Sequence, residues 1–142
     1  MTKQTMRRPE YFAFLFAHFA IFTIFVWFGG LKVLGLSPAS PLVSALLAET
    51  FPALPEAGFI AWFGVFEVII GCLFLIPRAE RVAIAVLVVH MITTAGPLFL
   101  LPDIAWQSFL APTLEGQYII KNIVVVALAA TILVDADKRR TK

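Results

Sequence analysis

One carboxylate lies inside an otherwise apolar stretch of this sequence, and it is the first candidate for chemistry. Residues 58–76 form a run long enough to cross a bilayer, with Glu67 near its middle. Inserting a charged carboxylate at the centre of a membrane helix costs roughly 2.5–3.5 kcal/mol of free energy. Glu67 must therefore be protonated, paired or turned toward a polar interior. Gly64 and Gly71 share its helical face, and small residues there let a second helix approach closely. We therefore expect Glu67 to face protein.

Two histidines fall in other apolar runs at a similar predicted depth. Counted from one side of the membrane, His18 lies roughly 10–13 Å deep, His90 roughly 12–14 Å and Glu67 roughly 14–15 Å. Such a layer could relay protons through Glu67 and His90, or it could be hydrogen-bonded structure, with Glu67 held by His90, Thr93 or Thr94. Equal depth also permits a b-type haem ligated by His18 and His90, or a metal site that adds Glu67. No repeated ligand spacing supports either site.

A second polar group is expected nearer the opposite face. Lys32 ends the first apolar run, and Tyr118, Lys121 and Asn122 share one face at the start of the last. These four residues, together with His18, could bind the polar head of a ligand, with acidic loop residues (Asp103 and Glu115) as counter-charges. The alternative is that the lysines snorkel to the interface and His18 is structural.

Composition and patterning predict the elements that position these residues. The chain is 61% hydrophobic and only 14% charged, against about 25% charged in a soluble domain, which indicates an integral membrane protein. Four runs are predicted to span the bilayer: residues 11–31, 58–76, 82–101 and 118–134. A short amphipathic helix over residues 41–49, between the first two spans, should lie at the outer membrane interface. Pro97 should kink the third span, and residues 102–117 are expected to form a loop.

We therefore predict an all-α membrane four-helix bundle that forms a single domain over residues 1–142. Nine of the eleven Lys and Arg residues precede the first span, follow the last or lie in the turn at 77–81. The positive-inside rule then places both termini in the cytoplasm. Basic ends of this kind orient membrane spans and do not suggest nucleic-acid binding. The first run exceeds the roughly 7–15 residues of a signal-peptide core, which favours a retained helix. The single cysteine, Cys72, excludes an internal disulfide framework.

Four short motifs carry a resemblance to a known family. They are residues 27–32 (WFGGLK), residues 64–67 (GVFE) with Gly71, residues 93–96 (TTAG) and residues 115–122 (EGQYIIKN). Together they resemble the DoxX-like superfamily of small four-helix membrane proteins, over about residues 11–135. The first and third motifs are similar to its reactive-chlorine-resistance inner-membrane branch. Residues 93–97 read Thr-Thr-Ala-Gly-Pro, however, which departs from the Thr-Thr-Pro-Gly order of that branch.

The resemblance implies a redox-associated subunit of the bacterial inner membrane, linked to quinone chemistry or oxidative stress. It marks Lys32, Glu67, Lys121 and Asn122 by position. We expect a quinone or similar small molecule to bind between the helices, with the electrons supplied by a bound cofactor or a membrane-associated redox enzyme. Whether the chain alone is an enzyme, and whether it forms oligomers, stays open. The alternatives are a non-enzymatic subunit that anchors or assembles a larger membrane complex, and a haem-binding or small-solute transport bundle.

Overall fold

The computed structural model describes residues 8–140, and within them the side chains of residues 10–138. Four long helices dominate this part of the chain: α1 (Arg8–Val33), α3 (Glu56–Leu73), α4 (Glu80–Ala95) and α7 (Leu114–Arg140). The candidate spans are Glu10–Val33, Glu56–Leu73, Glu80–Leu100 and Leu114–Lys138, with mean hydropathy between 1.7 and 2.1. Four helices are therefore long and apolar enough to cross a membrane, which confirms the predicted number.

The four long helices form an antiparallel bundle. α1 packs most extensively against α3, α3 packs against α4, α4 against α7, and α7 returns to α1. Each helix contributes one large side chain that is fully buried at the centre: Ile21, Ile70, Leu87 and Ile132. We call the end of the bundle where α1 begins and α7 ends the tail end. The opposite end, where α1 ends and α7 begins, is called the hairpin end, because two short paired strands precede α7 there. At the tail end the guanidinium of Arg81 donates two hydrogen bonds to Asp137 Oδ1, 2.7 and 3.1 Å long, which link α4 to α7.

Two helices have ends that differ from the approximate bounds of the predicted spans. α3 ends at Leu73 rather than at residue 76, because the chain turns through Pro77 and through Arg78, which has a φ of 69°. α7 begins at residue 114 and continues to residue 140, since its charged C-terminal segment stays helical beyond the apolar run.

The predicted loop at 102–117 also has structure. It contains α6 (Pro102–Ala105), two short strands, β1 (Trp106–Ser108) and β2 (Ala111–Pro112), and the first turn of α7. The two strands pair antiparallel and correct the all-α expectation by one small hairpin.

The break in the third span lies where the sequence predicts it. α4 ends at Ala95, and a separate short helix, α5 (Pro97–Leu100), follows Gly96. Proline cannot donate the backbone hydrogen bond that would continue α4, so the helix restarts at Pro97. The short helix expected at 41–49 is α2 (Ser40–Thr50), which packs against α3 and α5. Of the basic residues that set the predicted orientation, Lys3, Arg7 and Lys142 lie outside the described residues.

Candidate functional site

The site is built on an unusually close contact between α1 and α3. A Cβ added to Gly29 would lie 2.6 Å from the backbone oxygen of Gly64, and a Cβ added to Gly64 would lie equally close to that of Gly29. Each glycine also faces the charged residue of the other helix: the added Cβ of Gly29 would meet Glu67 at 2.9 Å, and that of Gly64 would meet Lys32 at 2.8 Å. The glycines therefore bring the stems of Lys32 and Glu67 into the helix interface.

Lys32 and Glu67 form a buried ion pair in this interface. The ammonium nitrogen of Lys32 donates a 2.6 Å hydrogen bond to Oε2 of Glu67, and the two residues are each only 6% exposed. Lys32 is the penultimate residue of α1, but helical side chains lean toward the helix N-terminus, so its amine reaches back into the bundle. The expectation that Glu67 faces protein is confirmed. The expectation that Lys32 joins the polar group on α7, or snorkels outward, was wrong.

His90 completes a cluster of three ionisable side chains from three helices. It lies at the middle of the Glu80–Leu100 span, is 3% exposed, and places Nε2 3.4 Å from Oε1 of Glu67. Three phenylalanine rings surround its imidazole, with centroids 5.0–6.0 Å away: Phe25, Phe63 and Phe66. Its Nδ1 is buried and makes no hydrogen bond within the described protein. His90 therefore has one ring nitrogen toward the carboxylate and one without a protein partner.

This arrangement can hold and move a proton. With Glu67 ionised and Lys32 protonated the pair is neutral, and a proton on His90 would be attracted by the same carboxylate. The faces of aromatic rings also favour a nearby cation, and the Phe63 ring serves both basic groups, since Lys32 Nζ lies 5.9 Å from its centroid. Thr93 and Thr94, the other predicted partners of Glu67, do not direct their hydroxyl hydrogen bonds to its carboxylate. The hydroxyls of Thr93 and Thr94 donate to backbone carbonyls of their own helix.

His18 lies apart from this cluster. Its Nδ1 bonds to the backbone oxygen of Phe14 at 2.9 Å, and its ring packs against Phe14 and Phe74 near the tail end. His90 instead packs against Phe25, seven residues further along α1, a rise of about 10 Å. The structure therefore separates the two histidines and favours a structural role for His18.

A haem or metal at these residues does not fit the geometry. Bis-imidazole ligation needs one nitrogen of each histidine facing the same iron, whereas the two rings pack against different parts of α1 and Nε2 of His90 faces Glu67. Within residues 8–140, no three His, Cys, Asp or Glu side chains are grouped so as to hold a metal ion.

The residues predicted on α7 are not brought to the cluster. Tyr118 and Lys121 are exposed, with the Lys121 amine 5.2 Å from the centre of the Tyr118 ring. Asn122 is half-buried and lines a groove of about 270 Å³ between α4 and α7, together with Met91 and Thr94. The groove is otherwise apolar and open to the side of the bundle. On α4, Met91 lines the groove, and the residue before it, His90, belongs to the cluster.

The pairing of Lys32 with Glu67 was missed by sequence reasoning, although a signal for it exists. Gly29 precedes Lys32 by three residues, and Gly64 precedes Glu67 by three. When two antiparallel helices pack glycine on glycine, equal spacing sets each charged side chain against the glycine of the other helix. Matched Gly-x-x-Lys and Gly-x-x-Glu segments therefore predict an interhelical ion pair. The aromatic rings around His90 carried no such signal, because fourteen phenylalanines are spread through the chain.

Comparison with known proteins identifies no relative: no family model, no curated protein and no solved structure matches the chain.

Proposed function

We propose that this protein is a redox-associated membrane subunit of the DoxX-like type that binds a quinone or similar small molecule in a polar intramembrane site. The buried cluster of Lys32, Glu67 and His90 carries the proposal. Ionisable residues at the middle of membrane spans are costly and are generally kept for function. The redox assignment comes from the motif resemblance to the DoxX-like superfamily. The same resemblance implies a location in the bacterial inner membrane, which we also propose.

The groove between α4 and α7 is the proposed route for the ligand. Its apolar lining and lateral opening suit a molecule that arrives dissolved in the bilayer. Its volume of about 270 Å³ is near the lower end of ligand pockets, roughly 300–1,000 Å³, so it would hold a ring-sized head while a longer tail stays in lipid. The polar groups there are the Asn122 amide, which can donate and accept, and the Thr94 hydroxyl. Because that hydroxyl donates to the backbone, it offers a ligand only its lone pairs.

The cluster would supply protons to this ligand. Reduction of a quinone to a quinol takes two electrons and two protons. In this proposal His90 and Glu67 relay the protons, and the hydrogen bond from Lys32 holds the carboxylate beside His90. The electrons come from a membrane-associated redox partner. Asn122 holds the head of the ligand, Lys121 directly precedes it, and Tyr118 lies about one helical turn from it toward the hairpin end of α7.

The test is to extract the purified protein, solubilised in mild detergent, and quantify quinones by mass spectrometry. We expect about one quinone per chain in the wild type and its loss from Asn122→Leu and Thr94→Val. Thr93→Val is the matched control, because the hydroxyl of Thr93 is next to Thr94 in sequence but is exposed and lies outside the groove. Wild-type protein without quinone, even after reconstitution in quinone-containing liposomes, would contradict the proposal. So would equal loss from Thr93→Val.

A non-enzymatic anchoring or assembly subunit is the second candidate, and one observation favours it. Only 17% of the most apolar window of Leu114–Lys138 is buried, against 28% in each of the other three spans, so most of α7 is left for lipid or a partner helix. In this case the Lys32–Glu67 pair is structural. The same preparation decides between the two: a stoichiometric protein partner without bound quinone, lost on substitution of exposed residues on α7 such as Ile123 and Val124, would establish the assembly role.

A further inference from the structure

The hairpin between α6 and α7 presents two apolar side chains at its turn. Ser108 pairs with Ala111, so Phe109 and Leu110 are the two central residues of the connection. Phe109 is 93% exposed and Leu110 is 75% exposed. Two-residue hairpin turns favour Asn and Gly, and Leu110 has a φ of 59°, which is costly for a residue with a Cβ. A turn facing water would gain nothing from these two side chains.

Hydrogen bonds hold the hairpin in a fixed position. The indole nitrogen of Trp106 donates to the backbone oxygen of Leu98 on α5, 3.0 Å away. Thr113 donates through its hydroxyl to the oxygen of Ile104 at 2.7 Å and through its backbone nitrogen to that of Ala105 at 3.0 Å. These bonds join β1 to α5 and the residue after β2 to α6. The tip is therefore presented at a set height above the bundle.

That height coincides with the end of two membrane spans. The candidate spans end at Leu100 and resume at Leu114, on either side of the hairpin. The exposed Tyr118 and Lys121, in contact one turn into α7, are residue types that mark the membrane–water interface. The uncharged tip contrasts with the turn at the tail end, where Arg78 and Arg81 are exposed. Polar headgroups with apolar chains beneath them are the surroundings expected at this level.

We infer that the turn inserts Phe109 and Leu110 into the interfacial layer of the leaflet at the hairpin end and so fixes the depth of α4 and α7. The occupant of this surface is lipid, because the adjacent ends of the two neighbouring spans also expose large apolar side chains, at Phe99 (80% exposed) and Leu114 (60% exposed). The inference rests on the four helices crossing a bilayer. It is independent of any ligand in the groove, so the two proposals can fail separately.

Spin labelling tests this directly. Phe109→Cys is made in a Cys72→Ser background, labelled with a nitroxide and reconstituted in liposomes, and its collisions with oxygen and with a water-soluble nickel chelate are measured. Phe109 makes almost no contact with the rest of the protein, so its replacement should leave folding intact. Val124→Cys, exposed midway along α7, is the hydrocarbon reference, and Arg78→Cys, in the charged turn, is the water reference.

The expected ratio of oxygen to nickel accessibility at position 109 is several-fold above that at position 78 and below that at position 124. A ratio equal to that at position 78 would place the tip in water and overturn the inference. Protection from both reagents would also overturn it, because the tip would then be covered by protein, such as a second copy of the chain.

Discussion

Removing the ammonium of Lys32 is the sharpest perturbation of this protein, because it leaves a carboxylate buried without its partner. Lys32→Met keeps most of the side-chain length and apolar contact but deletes the 2.6 Å bond to Glu67. Breaking a buried ion pair from one side typically costs about 3–5 kcal/mol, because the remaining charge is left uncompensated. We expect a loss of that size in the free energy of unfolding, with His90 as the nearest remaining basic group.

The double variant separates this cost from lost packing. In Lys32→Met/Glu67→Gln no charge is stranded, and neutral replacement of a buried pair is often nearly neutral in stability. The double variant should therefore be more stable than Lys32→Met alone, by about 2 kcal/mol or more. Lys121→Met is the matched control: this lysine is exposed, so its replacement should change stability by no more than about 0.5 kcal/mol.

Equilibrium unfolding of five proteins (the wild type, Lys32→Met, Glu67→Gln, the double variant and Lys121→Met) in mixed detergent–dodecyl sulfate micelles, followed by helical circular dichroism, supplies the comparison. The reasoning is refuted if Lys32→Met is as mild as Lys121→Met, or if the double variant loses the sum of the two single losses.

Three further outcomes follow from the packing and charges. Gly64→Ala should destabilise the bundle by about 1–3 kcal/mol, because the new methyl would press on the backbone of α1. Gly30→Ala, where the added Cβ meets nothing within 4 Å, should have little effect in the same unfolding assay. Arg81→Gln should cost no more than about 1 kcal/mol by that assay, since its pair with Asp137 is half-exposed and screened by salt. His90→Gln should lower stability less than Lys32→Met does, because the ion pair survives; an equal loss would make the imidazole an essential partner of Glu67.

The sequence predicted the number of long apolar helices, the break at Pro97 and the inward face of Glu67, because hydropathy and helical spacing act along one segment at a time. It failed where two segments had to be matched. Lys32 looked like a residue at the end of a span, and only its docking on Gly64 turns its side chain into the bundle. Counting residues from the helix ends also placed His18 at nearly the same depth as His90. Such a count ignores differences in helix tilt and in the level at which each helix begins, and these set the actual depths.

The geometry also limits how the cluster can act. On the α1 side the carboxylate is closed off by glycine-on-glycine contact, with no space for a ligand between Gly29 and Gly64. In the proposed function a molecule exchanges a proton with the cluster from the α4 side, where His90 faces Glu67 and Met91, the next residue, lines the groove. We propose that His90 is the intermediary between the ion pair and a bound molecule, through its Nδ1, which has no hydrogen-bond partner among the described residues. For this reason His90→Gln should abolish any proton-coupled activity of the protein while leaving the ion pair, and most of the stability, in place.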